Sequence, residues 1–169
     1  PFMGKALKRY PRESFYLATK MPPWNLKTPQ DVQNIFESQL RRCQVDYFDF
    51  YLFHAQNKEM FKRCVDLDVY GYLQKMREEG KIRFLGFSFH DTPEVLEQIL
   101  DTYYWDFVQI QLNYLDWELQ DAKGQYELLA QRGIPAIIME PPTMFCKKRR
   151  PAVRWPPGPS GTPPSFQTS

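Results

Sequence analysis

The chain has 169 residues, of which 43% are hydrophobic, 16% aromatic and 25% charged. That suffices for one substantial core, is short for two domains, and is too mixed for bulk disorder or a fibrous repeat. Its net charge of +2 conceals an uneven distribution: the first 140 residues hold 17 basic and all 20 acidic residues, the last 29 hold five basic residues and no acid. No apolar run approaches a membrane span, and the first ten residues lack the apolar core of a secretory signal. Cys43, Cys64 and Cys146 form no C-x-x-C pair and no histidine cluster at metal spacing, so no metal is expected. They read as small buried hydrophobes, the reduced thiols of a cytoplasmic protein.

Five short apolar segments recur along the chain, Phe15–Ala18, Phe48–Phe53, Ile82–Phe89, Phe107–Leu112 and Ala136–Met139. Helical patterns lie between them. Gly4–Lys8 reads as the end of an earlier helix. Thr28-Pro29-Gln30-Asp31 has the composition of a capped helix start, followed by Val32, Ile35, Phe36 and Leu40 on one face. The next helix carries Val69, Tyr72, Leu73 and Met76 and stops at Gly80. Thr92-Pro93 begins a third, with Val95, Leu96, Ile99 and Leu100. A fourth covers roughly residues 121–131 and ends at Gly133.

The apolar segments begin 33, 34, 25 and 29 residues apart. That is the length of a strand–helix unit, with no hairpin signal between strands, so the sheet should be parallel with right-handed crossovers. A dinucleotide-binding doubly wound sheet would show G-x-G-x-x-G after a strand, and the scattered glycines never form it. A (β/α)8 barrel places its chemistry at the C-terminal ends of its strands. Polar residues fall there: Lys20, His54, Ser88 with His90, Gln109 with Gln111, and Glu140. Five strands are fewer than a full barrel needs, so the expected fold is α/β, a partial (β/α)8 TIM barrel.

Each candidate has a plain alternative. Lys20 is either a solvated loop lysine or, among Tyr16, Met21 and Trp24, a partly desolvated one suited to proton transfer. His54 either is a satisfied structural histidine or donates to a carbonyl oxygen. His90 is the weaker histidine, because Asp91 stands ready to pair with it. Gln109, Gln111 and Asn113 alternate onto one face, which suits either amide recognition or a polar sheet surface. The basic run Lys147–Arg150 has no aromatic interleaving, so nucleic acid is not expected as a partner.

The order of these features is more specific than any one of them. A strand ending in L-A-T-K-M-P-P-W, then V-D-Y-F-D-F-Y-L-F-H-A, G-K-I-R-F-L-G-F-S-F-H-D, D-F-V-Q-I-Q-L-N-Y-L-D and G-I-P-A-I-I-M-E-P together resemble the aldo/keto reductase family. They are most similar to its bacterial branch, some members of which carry a C-terminal iron–sulfur segment. The resemblance covers almost all of residues 1–141. It implies roughly strands 3 to 7 of the barrel, and hydride transfer between NADPH and a small-molecule carbonyl substrate. It further implies that Lys20 lowers the pKa of a tyrosine acid and that His54 orients the substrate carbonyl. Ser88 and Gln109 match positions that hold the nicotinamide carboxamide. Met139 matches one where relatives often stack an aromatic ring, with Glu140 and Pro141 continuing that wall.

Departures from the family are equally informative. Its catalytic Asp and Tyr would lie before Pro1, so this chain is expected to be an internal fragment that is inactive alone. Relatives continue after M-E-P with leucine and a glycine-rich turn, whereas Pro142-Thr143-Met144 departs here. Residues 1–140 are thus expected to be the partial barrel, and 141–169 a basic, proline-rich tail outside it, disordered or read out of frame. Open sheet edges should favour self-association. The competing expectations are a non-catalytic, nucleotide-sensing regulatory barrel and a truncated pseudoenzyme.

Overall fold

A computed structural model of the chain describes residues 2–113 and 121–139. In chain order the elements are α1 (Phe2–Leu7), a 3-10 turn (Arg12–Ser14), β1 (Ala18–Met21), a second 3-10 turn (Pro23–Asn25), α2 (Pro29–Cys43) and β2 (Phe48–Gln56). There follow α3 (Lys58–Asp66), α4 (Val69–Glu78), β3 (Ile82–Phe89), α5 (Pro93–Thr102), β4 (Phe107–Gln111), α6 (Ala122–Gln131) and β5 (Ala136–Met139). The helix boundaries follow from local chemistry. Asp31 accepts from the Lys27 and Thr28 backbone N–H groups at the start of α2. Asp68 and Asp121 cap α4 and α6 by accepting from Gly71 and Gly124 N–H. Gly80 and Gly133, with φ of 75° and 66°, turn the chain out of those two helices.

The five strands form one sheet in the order β1-β2-β3-β4-β5, every pair parallel. This is the expected architecture, an open portion of a barrel. Three strand boundaries and one helix differ from the sequence reading, the smallest difference being that β4 ends at Gln111 rather than Leu112. The first strand is Ala18–Met21 rather than Phe15–Ala18. The earlier residues are held partly by side chains: Arg12 donates to the Phe15 carbonyl and Asp49 accepts from Leu17 N–H, while the Leu17 carbonyl accepts from the Asp49 and Phe50 N–H groups of β2. The second strand runs on to Gln56, so His54 stands inside it rather than closing it. Finally, α3 was not anticipated from the sequence; Asn57 starts it by accepting from Met60 N–H. The segment after Met139, including the expected tail, lies outside the described residues.

One face of the sheet packs on helices. Tyr51 lies 5.2 Å from Phe36 of α2, and Phe53 and Phe87 meet Trp105 at 5.1 and 4.8 Å between ring centroids. The register places Lys20, Leu52, Gly86 and Phe107 in one row of the opposite, inner face, with Ser88, Gln109 and Ile137 in the next. This inner face is curled. Lys20 on β1 donates to Gln109 on β4 at 2.6 Å, although three strand spacings of about 4.8 Å would separate these strands by about 14 Å in a flat sheet. Side chains stand roughly perpendicular to a sheet, so only curvature brings the two together.

Gly86 permits the same curvature lower down. The rings of Phe50 and Phe107, from strands two apart, meet over it at 5.4 Å. A Cβ on Gly86 would collide with the Phe107 carbonyl oxygen. At the N-terminal end of the strands, two buried aspartates tie neighbours together. Asp49 accepts from Leu17 N–H, Arg12 and Arg83, and Asp106 accepts from Leu85 N–H and Arg77.

Candidate active site

The opposite end of the sheet is where the candidate residues converge. Lys20 is the penultimate residue of the edge strand β1. Its ammonium donates to Gln109 Oε1, and burial pulls its pKa below the ordinary lysine value. An ammonium only donates, so the Gln109 amide must turn its oxygen to Lys20, leaving the N–H2 end to serve a ligand.

His54 owes its position to an irregularity in β2. The register slips between Phe53 and Gln56, and Ala55 takes φ 49°, a left-handed conformation uncommon outside glycine. The bulge is pinned on both sides. Ala55 N–H donates to Ser88 Oγ at 2.8 Å, and Gln56 Nε2 donates to the His54 carbonyl at 3.0 Å. The indole of Trp24 lies 4.8 Å from the imidazole, tilted by 54°. Burial, then the charge of Lys20, then His90 lower the His54 pKa. The imidazole is therefore neutral at pH 7 and retains an N–H to donate.

Ser88 is fully buried, and its hydroxyl oxygen is already an acceptor for Ala55. Its O–H, like the Gln109 N–H2 on the adjacent strand, is a donor of the kind a carboxamide oxygen accepts from, although Ser88 itself presents no surface to a ligand in this structure. This donor set is compatible with a nicotinamide. Met139 pairs in register with Gln111 at the ends of β5 and β4 and supplies a polarizable thioether on the same face. Glu140 and Pro141 lie outside the described residues. Sequence reasoning missed the bulge at Ala55 and the contribution of Gln39, whose side-chain N–H2 donates to the Lys20 carbonyl. Nothing in the spacing of the chain signals either.

Comparison with known proteins gives a consistent result. The model of the aldo/keto reductase family matches residues 1–144. A probable aldo-keto reductase 1 from Glycine max is 33% identical over 94 residues, covering 51% of this chain and 26% of that protein. A glyoxal reductase from Bacillus subtilis is 33% identical over 90 residues, covering 51% of this chain and 30% of that protein. Among solved structures, the holo form of an aldo-keto reductase from Bacillus halodurans superposes with a TM-score of 0.65 at 26% identity, covering 81% of this chain and 44% of that one. The chain thus spans less than half the length of these relatives.

Proposed function

Because the chain belongs to the aldo/keto reductase family of oxidoreductases, we propose that it forms part of an enzyme passing hydride between NADPH and a small carbonyl compound. The observation that carries this reading is the grouping of Lys20, Gln109 and His54 at one end of the curled inner face. A bound nicotinamide would supply the hydride chemistry. Ser88 and Gln109 would hold its carboxamide by donation, and Met139 would lie against the ring, with Glu140 and Pro141 extending that side. The neutral His54 donates to the substrate carbonyl oxygen and steadies the charge that develops there. The Lys20 cation favours the ionised form of a nearby phenol, which suits it to tune a tyrosine acid. The similarity to a glyoxal reductase makes a small aldehyde the first substrate to try.

On this reading the chain alone turns over poorly, because the tyrosine acid would come from sequence before Pro1. Loss of general acid catalysis costs about 10²–10⁴-fold in rate. We also place the protein in the cytoplasm, on its reading as a reduced-thiol protein; Cys43 and Cys64 are free. The test is to assay aldehyde reduction by this chain and by a longer protein that supplies the earlier strands. Activity in the longer protein that falls with Lys20→Met and His54→Gln supports the assignment. Activity unaffected by both variants overturns it, and family-like rates from this chain alone overturn its predicted incompetence.

A further inference from the structure

We propose that Gln39 is a positioning residue for the candidate site, holding the end of β1 through the Lys20 carbonyl and held in turn by Tyr51. The proposal deepens the reading of Lys20 and His54 given above and rests on it for its functional meaning.

The geometry is a relay across three elements. Tyr51 of β2 donates its hydroxyl to Gln39 Oε1 of α2 at 2.7 Å, and Gln39 Nε2 donates to the Lys20 carbonyl of β1 at 2.9 Å. Its direction is fixed by chemistry. A carbonyl oxygen only accepts, so the N–H2 end of Gln39 must face Lys20, and the phenol must then donate to the other end. The Tyr51 ring is fully buried between Phe36 and Phe48, so its hydroxyl needs this partner. Other polar residues of α2 behave differently. Gln30, Gln33, Asn34 and Glu37 bond to one another on the exposed side of the helix.

The anchored residue is one that needs fixing. β1 is only four residues long and, among the described residues, is paired along one side alone. Pro22-Pro23 follows at once, and these two prolines have no N–H with which to hold the backbone. That turn carries Trp24 to the His54 ring, while the Lys20 side chain reaches Gln109. One amide therefore sets where the lysine reaches and where the indole lies.

The test uses NMR on the full chain, following the Lys20 and His54 titrations and the Trp24–His54 ring contact. The double variant Gln39→Leu/Tyr51→Phe removes both ends of the buried hydroxyl–amide bond together, so that only the Lys20 carbonyl, on the open side of β1, loses a donor and the fold should be preserved. We expect an unchanged denaturation midpoint, Lys20 titrating nearer an ordinary lysine, and loss of the Trp24–His54 contact. Tyr51→Phe alone removes one oxygen atom and should produce the same changes, smaller in size; it decides the matter if the double variant does not fold. A folded variant in which both titrations and the ring contact match the wild type overturns the proposal. These readouts do not involve turnover, so failure of the reductase reading would appear separately, in the Lys20→Met assay.

Discussion

Burial first, then the positive charge of Lys20 and, least, the electrostatic influence of His90 hold the His54 imidazole below the ordinary histidine value. The folded state therefore binds a proton at His54 more weakly than the unfolded chain does. The sign of the linkage follows: this residue's contribution to stability is present above about pH 6.5, the unfolded value, and is lost as pH falls through the lower folded value. Denaturation midpoints measured from pH 7.5 down to pH 5 should fall, and His54→Gln should flatten that dependence. Lys20→Met isolates the charge. It should move the His54 titration upward, and because burial is the larger cause, the value should stay below that of an exposed histidine. An unmoved His54 titration in Lys20→Met would mean that the two side chains do not sense each other. Buried Cys64 shows the same physics without a functional role, its thiol pushed up to about 12 by burial.

Strand by strand, the two ends of the sheet do different work. The N-terminal end carries the Asp49 and Asp106 clamps, and the C-terminal end carries Lys20, His54 and Gln109. Asp106→Ala leaves the Leu85 N–H and the Arg77 guanidinium without their carboxylate. It should cost about 3 kcal/mol by chemical denaturation, as expected for breaking a buried pair, while His54 titrates as before. A shifted His54 in that variant would contradict the separation of the two ends. Gly86→Ala attacks the middle of the sheet. Its new Cβ meets backbone at Phe107, which cannot rotate aside, so a loss of about 1–3 kcal/mol in the same measurement is expected.

These elements also mark how far the sequence could be read. The 25–34-residue spacing of apolar runs identified the parallel sheet, because each crossover helix needs that length. Thr28, Gly80 and Gly133 marked helix ends because capping chemistry is local. The start of β1 was not legible. Phe15–Leu17 is as strand-like as Ala18–Met21, and what draws Phe15 and the Leu17 N–H out of the regular ladder is Arg12 and the Asp49 carboxylate, the latter 32 residues from Leu17. The site was legible as an ordered set of residues. Its supports were not: the bulge at Ala55 and the Tyr51–Gln39–Lys20 relay depend on contacts that only the fold creates.

On the scale of the whole molecule, the open sheet has consequences for association. β1 and β5 end the strand order, and among the described residues neither has a partner on its outer side. β5 is the more exposed of the two to pairing. It is four residues of alanine, isoleucine and methionine, half-buried throughout, with no charge, proline or bulge to deter another strand. Farther along the inner face, β2 and β3 carry the half-buried rings of Phe50 and Phe84, stacked 5.3 Å apart, a further apolar surface that a closed barrel would cover. Sedimentation velocity should therefore show concentration-dependent association of this chain. Ile137 points to the inner face at the middle of β5, in register with Gln109. Ile137→Lys places a charge there and should reduce association while circular dichroism reports an unchanged fold. Association that persists undiminished in a folded Ile137→Lys chain would locate the contact elsewhere. A chain that sediments as a monomer at all concentrations would show that the β5 edge is already protected. In a longer protein that supplies the remaining strands, the same substitution should instead lower stability, because it would bury an unpaired ammonium inside the closed barrel.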